Sequence, residues 1–99
     1  MTKTASVNGV EIAHTDAPKV VEGNQYFPPS DIKQEYFKPS AKGTTTHCPW
    51  KGDASYYDLH VDGKVIEDAA WYYPSVITDR AQEIKGFIAF YTTKGVKVE

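Results

Sequence analysis

A chain of 99 residues, 40% hydrophobic and with a formal net charge of -2, is sized for one folded unit, residues 1–99, around a single modest core. Its 11 basic residues are scattered among 13 acidic ones, which excludes both a disordered composition and the concentrated positive field of a nucleic-acid binder. Nothing reads as a signal peptide or membrane span, and a lone cysteine cannot close an internal disulfide, so the expectation is a cytoplasmic protein with no membrane partner.

The chain opens with a strand over 3–7. Asn8-Gly9 then tolerates the positive φ of a type I′ turn, and alternation in Val10, Ile12 and His14 predicts the returning strand 10–15. Lys19 to Glu22 reads as a strand, Gly23-Asn24 as a turn, and Gln25 to Phe27 as extended chain before Pro28-Pro29. Ser30 is placed to cap a short helix carrying Ile32, Glu35 and Tyr36, ended by Lys38-Pro39. A loop over 40–43 precedes a β-branched strand at 44–47.

Ala54 to Val61 alternates, with Ser55, Tyr57, Leu59 and Val61 on one face. Asp62-Gly63 turns the chain into Lys64–Asp68, and Ala69–Tyr73 is expected as a further strand. Thr78 is expected to cap a brief helix through Ile84 with Gly86 behind it. The apolar run 87–91 is short enough for a buried strand, and Val96 and Val98 alternate in a last one. The sum is about seven to nine short strands with one or two short helices, hence a mainly β antiparallel fold, tent-like or barrel-like.

The stretch Thr46-His47-Cys48-Pro49-Trp50-Lys51-Gly52-Asp53-Ala54-Ser55-Tyr56-Tyr57 concentrates chemistry around a sharp turn. With Tyr26-Phe27-Pro28-Pro29-Ser30-Asp31-Ile32, Ala69-Ala70-Trp71-Tyr72-Tyr73-Pro74 and Ile84 to Tyr91, it resembles the family called domain of unknown function 427, sometimes labelled nucleotidyltransferase-like. The resemblance runs from about Val7 to Val98. It implies a small, mostly β fold with a pocket near the Cys48–Gly52 loop and a glutamate at position 22 facing it. The chain has no Gly-Ser pair followed by the spaced carboxylates that hold Mg²⁺ over a triphosphate, so nucleotidyl transfer is not expected.

The candidate ligand-binding residues are Glu22, Tyr26, Cys48, Trp50, Lys51, Gly52, Tyr57 and Trp71. Lys51, in a turn, can project an ammonium into a cleft and hold a carboxylate or phosphate, or pair with Glu22, Glu67 or Asp68. Glu22 is its partner, a general base, or a solvated strand-end acid. Gly52 permits positive φ or close approach of the backbone to a ligand. Tyr26, Tyr57, Trp50 and Trp71 offer apolar bodies with polar tips for a flat ligand, or fill the core. Adjacent aromatics are expected to divide, one inward and one outward. Cys48 is a nucleophile only if a cation or backbone donors lower its pKa; otherwise it packs as a small hydrophobe.

Three scattered histidines (His14, His47, His60) and one cysteine give no metal-ligand spacing, and no cofactor or catalytic set is indicated. The leading expectation is a pocket for a small polar or anionic molecule. An interaction module working through its edge strands comes next, and a thiol-dependent enzyme using Cys48 last.

Overall fold

A computed structural model describes residues 2–99. Three tight hairpins organise it, each with a two-residue turn at positive φ: Asn8-Gly9 between β1 (Lys3–Val7) and β2 (Val10–Thr15), Glu22-Gly23 between β3 (Lys19–Val21) and β4 (Asn24–Tyr26), and Asp62-Gly63 between β7 (Gly52–Val61) and β8 (Lys64–Tyr72). The remaining strands are β5 (Phe37–Pro39), β6 (Thr45–Cys48), β9 (Ile88–Phe90) and β10 (Val96–Val98). The Asn-Gly and Asp-Gly turns fall as their residue types dictate. The second turn lies one residue earlier than expected, because Glu22, not Asn24, takes the left-handed conformation at φ 53.

All pairings are antiparallel, as anticipated, and the sheets stay open, with no closed barrel among the described residues. β10-β1-β2 form one sheet and β3-β4 a second. β5-β7-β8-β9 form the third, with β6 also paired to β7. Two single bridges add to them: Ile32 joins Ala13 of the first sheet, and Phe27, just after β4, joins Ile88 of the third. The helical expectations become 3-10 turns at Pro29–Asp31, Gln34–Tyr36 and Asp79–Ile84. Ile32 is pulled into extended pairing with β2, where Lys33 N–H donates to the Ile12 carbonyl at 2.8 Å, so a continuous helix across 30–38 cannot form. Thr78 does not cap; its hydroxyl donates to the Trp50 carbonyl at 2.7 Å, tying the segment after Tyr73 to the turn before Gly52.

The third sheet is buried on both faces. Period-two alternation sends Tyr57, Leu59 and Val61 of β7, Ala70 of β8, and Ile88 and Phe90 of β9 into a core shared with Ala5, Val7, Ile12 and Val96 of the first sheet. The opposite parity, Ala54, Tyr56, Trp71, Tyr73 and Ala89, builds a second, aromatic cluster with Tyr26 and Ile84. Paired aromatics therefore do divide, but between two packed faces instead of between core and solvent. Tyr26/Phe27, Tyr56/Tyr57 and Tyr72/Tyr73 each contribute one ring to each cluster.

What reads in sequence as two strands meeting at Asp68 is one strand with a bulge. Tyr57 pairs with Ala70 and Leu59 with Ile66, leaving three residues opposite Asp58, and Asp68 sits at φ 51. The buried Asp58 carboxylate fills the gap in the ladder. It accepts from the Asp68 N–H at 2.8 Å and, through its other oxygen, from the Ala41 N–H at 3.0 Å. Asp68 in turn accepts from the Ser40 and Thr44 hydroxyls at 2.6 and 2.7 Å, so the loop over 40–44 is fastened to the bulge at three points.

Candidate functional site: a tyrosine-lined cavity around Lys51

Cys48 and Gly52 pair across the β6–β7 hairpin, leaving Pro49, Trp50 and Lys51 as its loop. Gly52 takes φ 117, and a Cβ there would lie 3.3 Å from the Ser75 carbonyl oxygen. Its freedom serves the fold: the turn packs against segment 75–77, with the Ile77 N–H donating to the Lys51 carbonyl at 3.2 Å.

This geometry drives the Lys51 side chain inward, to 5% residue exposure. Its ammonium donates to Glu22 Oε1, from the tip of the β3–β4 hairpin. It also lies 5.2 Å from the Trp50 ring centroid and 5.5 Å from that of Tyr73. Burial works against the charge, but the bond to Glu22 and the fields of Tyr26 and Tyr73 outweigh it and hold the Lys51 pKa above its ordinary value. Donation from Lys51, then its charge, depresses Glu22.

The ammonium edges a depression of about 450 Å³, a size suited to a small molecule. Tyr26, Tyr56, Trp71, Tyr73 and Tyr91 line its interior, Phe90 contributes beside them, and Asn24, Thr46, Thr92 and Thr93 are the other polar members. Trp71 Nε1 donates to the Tyr26 hydroxyl at 3.2 Å, and the Trp71 and Tyr91 rings lie 4.6 Å apart, tilted by 47°. Thr46, Tyr56 and Tyr91 form a hydroxyl chain with separations of 2.9 and 3.3 Å. Three hydroxyls joined by two hydrogen bonds retain one proton for a further acceptor. Burial, reinforced by the bond to Tyr56, pushes the Tyr91 pKa up to about 12, and burial also raises Tyr73. Both phenols therefore stay neutral donors at physiological pH. Among the described residues lining the depression, Lys51 is the one charged side chain and none carries a carboxylate.

The structure thus brings together Lys51, Tyr26 and Trp71 of the expected set, with Glu22 at the edge through its ion pair. The other four lie off the lining. Trp50 is half-buried beside it, with the Arg80 guanidinium 4.6 Å from its ring centroid. Gly52 is enclosed by backbone. Tyr57 is on the opposite face of the sheet, stacked 4.7 Å from Tyr72 and edge-on to Phe37, because its parity is opposite to that of Tyr56. Cys48 packs half-buried against the aromatic cluster, while its neighbour His47 turns outward to Asp53 at 2.8 Å.

Beyond the expected set the lining adds Asn24, Thr46, Tyr56, Tyr73, Phe90, Tyr91, Thr92 and Thr93. Strand register would have found two of them: Tyr56 pairs with Trp71 and Trp71 with Ala89, so Tyr56 and Tyr91 share the parity of the tryptophan. Among the described residues there is no cluster of metal-ligating side chains, and no helix is long and apolar enough to cross a membrane.

The Glu22–Lys51 pair predicts an acid dependence. The Glu22 pKa is lowered on folding, so the pair's stabilisation is complete above the unfolded value of about 4.5 and is lost as pH falls through the lower folded value. Thermal melts of the wild type and Glu22→Gln are expected to differ at pH 7 and to converge toward pH 3. A gap that stays constant over that range would show that the pair does not link folding to protons.

Residues 3–99 match the family described as Domain of unknown function (DUF427), and the chain belongs to that family. No curated protein matches it.

Proposed function

We propose that the chain binds a small anionic molecule in the depression edged by Lys51. The observation that carries this reading is the charge pattern: among the described residues, a buried ammonium is the only charged group of a lining otherwise made of aromatic rings, neutral hydroxyls and one amide. A cation held out of bulk water attracts a counter-anion more strongly than a surface lysine does, and nearby phenol donors can complete the shell of an oxyanion. The ring walls suit a flat or apolar body attached to that anion. A single ammonium is a poor match for a polyanionic strand, so nucleic acid is not the occupant we propose. The unpaired Cys48 suits a reducing, cytoplasmic setting.

The test is an NMR screen of carboxylates, phosphates and neutral analogues against the labelled protein. Anions are expected to shift the Trp71 indole N–H and the amides of Asn24, Thr46 and Tyr91, and Lys51→Gln is expected to weaken that response by about tenfold or more. Shifts confined to other surfaces, or an undiminished response in folded Lys51→Gln, would remove the site.

A further inference from the structure

We infer that the Glu22 carboxylate is a built-in stand-in for the ligand's own carboxylate: it occupies the Lys51 ammonium in the empty protein and is displaced when a ring-bearing carboxylate enters. This rests on the reading of the Lys51 cavity given above and adds the ligand class and the group that competes with it.

The two ends of the ion pair are unlike. The Lys51 side chain is 6% exposed and the Glu22 side chain 56%. A buried ammonium left alone is costly, whereas a carboxylate returned to water from an exposed site loses little. Exchange of one carboxylate for another keeps Lys51 paired throughout, with Glu22 free to turn to solvent. Glu22 also sits at the tip of a two-residue turn, at φ 53, so its side chain reaches Lys51 from a hairpin edge and not from a packed strand. Asn24 and Tyr26, on the strand that follows, line the depression, so the stand-in and the binding surface belong to one hairpin.

The chemistry favours a carboxylate over a phosphate. One ammonium and a few phenol or hydroxyl donors match a singly charged, two-oxygen group, while a phosphate dianion calls for several cations or a nest of backbone N–H groups. Tyr73 lies 5.5 Å from the charge, and Trp71 and Tyr91 line the same depression, which gives the attached ring a place.

The experiment titrates sodium benzoate, phenyl phosphate and benzyl alcohol into the wild type, Glu22→Gln and Lys51→Gln at pH 7 and constant ionic strength, read by amide and indole NMR shifts. Benzoate is expected to bind the wild type weakly and Glu22→Gln about five- to tenfold more tightly, because the internal competitor has lost its charge. Benzyl alcohol is expected to bind both alike. If Lys51→Gln loses benzoate but Glu22→Gln binds it no better than the wild type, Glu22 is not a competitor, and the displacement idea falls while the cavity reading stands. If benzoate binds none of the three, or binds Lys51→Gln as it does the wild type, the cavity reading falls first. Phenyl phosphate binding more tightly than benzoate overturns the carboxylate assignment. Should Lys51→Gln not fold, the wild-type contrast between benzoate and benzyl alcohol decides whether the charge is used: equal binding of the two counts against both ideas.

Discussion

Phe27→Ala is expected to lower the unfolding free energy by about 3–5 kcal/mol, a large share of the roughly 5–15 kcal/mol available to a fold of this size. Phe27 is fully buried, and its ring meets Phe90 edge-on at a centroid distance of 5.3 Å. It is also the residue through which β4 reaches the third sheet: its N–H donates to the Ile88 carbonyl at 2.7 Å, and its carbonyl accepts from the Ile88 N–H at 2.8 Å. Removing the ring leaves a void beneath that joint. The preceding residue, Tyr26, points to the other cluster and holds the Trp71 indole, so the damage is expected to reach the cavity as a shifted or broadened Trp71 indole resonance. Urea denaturation measures the first effect. A loss below about 1.5 kcal/mol would mean that the neighbouring side chains close the void, contrary to the packing described.

Asp58→Ala is expected to cost about 2–4 kcal/mol, although the residue touches neither a cation nor the cavity. Its carboxylate stands where a strand carbonyl would be, accepting the Asp68 N–H inside the bulge and the Ala41 N–H of the adjoining loop. Truncation leaves the first of these donors buried without a partner. It also frees one of the three fastenings of loop 40–44, so amide exchange in that loop is expected to speed up along with the loss of stability. Asp58→Asn keeps one acceptor oxygen and turns an amide donor toward the other N–H, so an intermediate loss is expected. An alanine variant with wild-type urea midpoint and unchanged exchange at Ala41 would show that the carboxylate is dispensable.

These two residues illustrate what reads easily from the chain and what does not. Phe27, ahead of Pro28-Pro29, is recognisable as an extended aromatic position, but not as the joint between sheets, because its partner Ile88 is distant in sequence. Asp58 sits in an alternating strand where a solvent-facing acid is the ordinary expectation. Only the extra residues opposite it on β8 leave an N–H for it to accept.

The same division holds for the site. Lys51, Tyr26, Trp71 and Glu22 were expected together from residue type and from the family motif, and the structure places Lys51, Tyr26 and Trp71 on one depression with Glu22 at its edge. Tyr57, a candidate, lies on the face opposite the depression: both members of Tyr56-Tyr57 look alike and the sheet is buried on both sides, so alternation carried no sign of which face held it.

By itself the sequence determined the hairpins at Asn8-Gly9 and Asp62-Gly63, the strands that flank them, the antiparallel β class and the family. Those features rest on local chemistry: positive-φ turn residues and period-two patterning act over a few positions. The tertiary structure alone decided that Ile32 leaves a helix to pair with β2, that Asp58 completes a bulge, and that Tyr91 rather than Tyr57 faces Trp71. It also decided that Glu22 meets Lys51 among several available acids. Each of those outcomes depends on register between segments far apart in the chain, and register is fixed by how whole faces pack, which no short stretch of residues encodes.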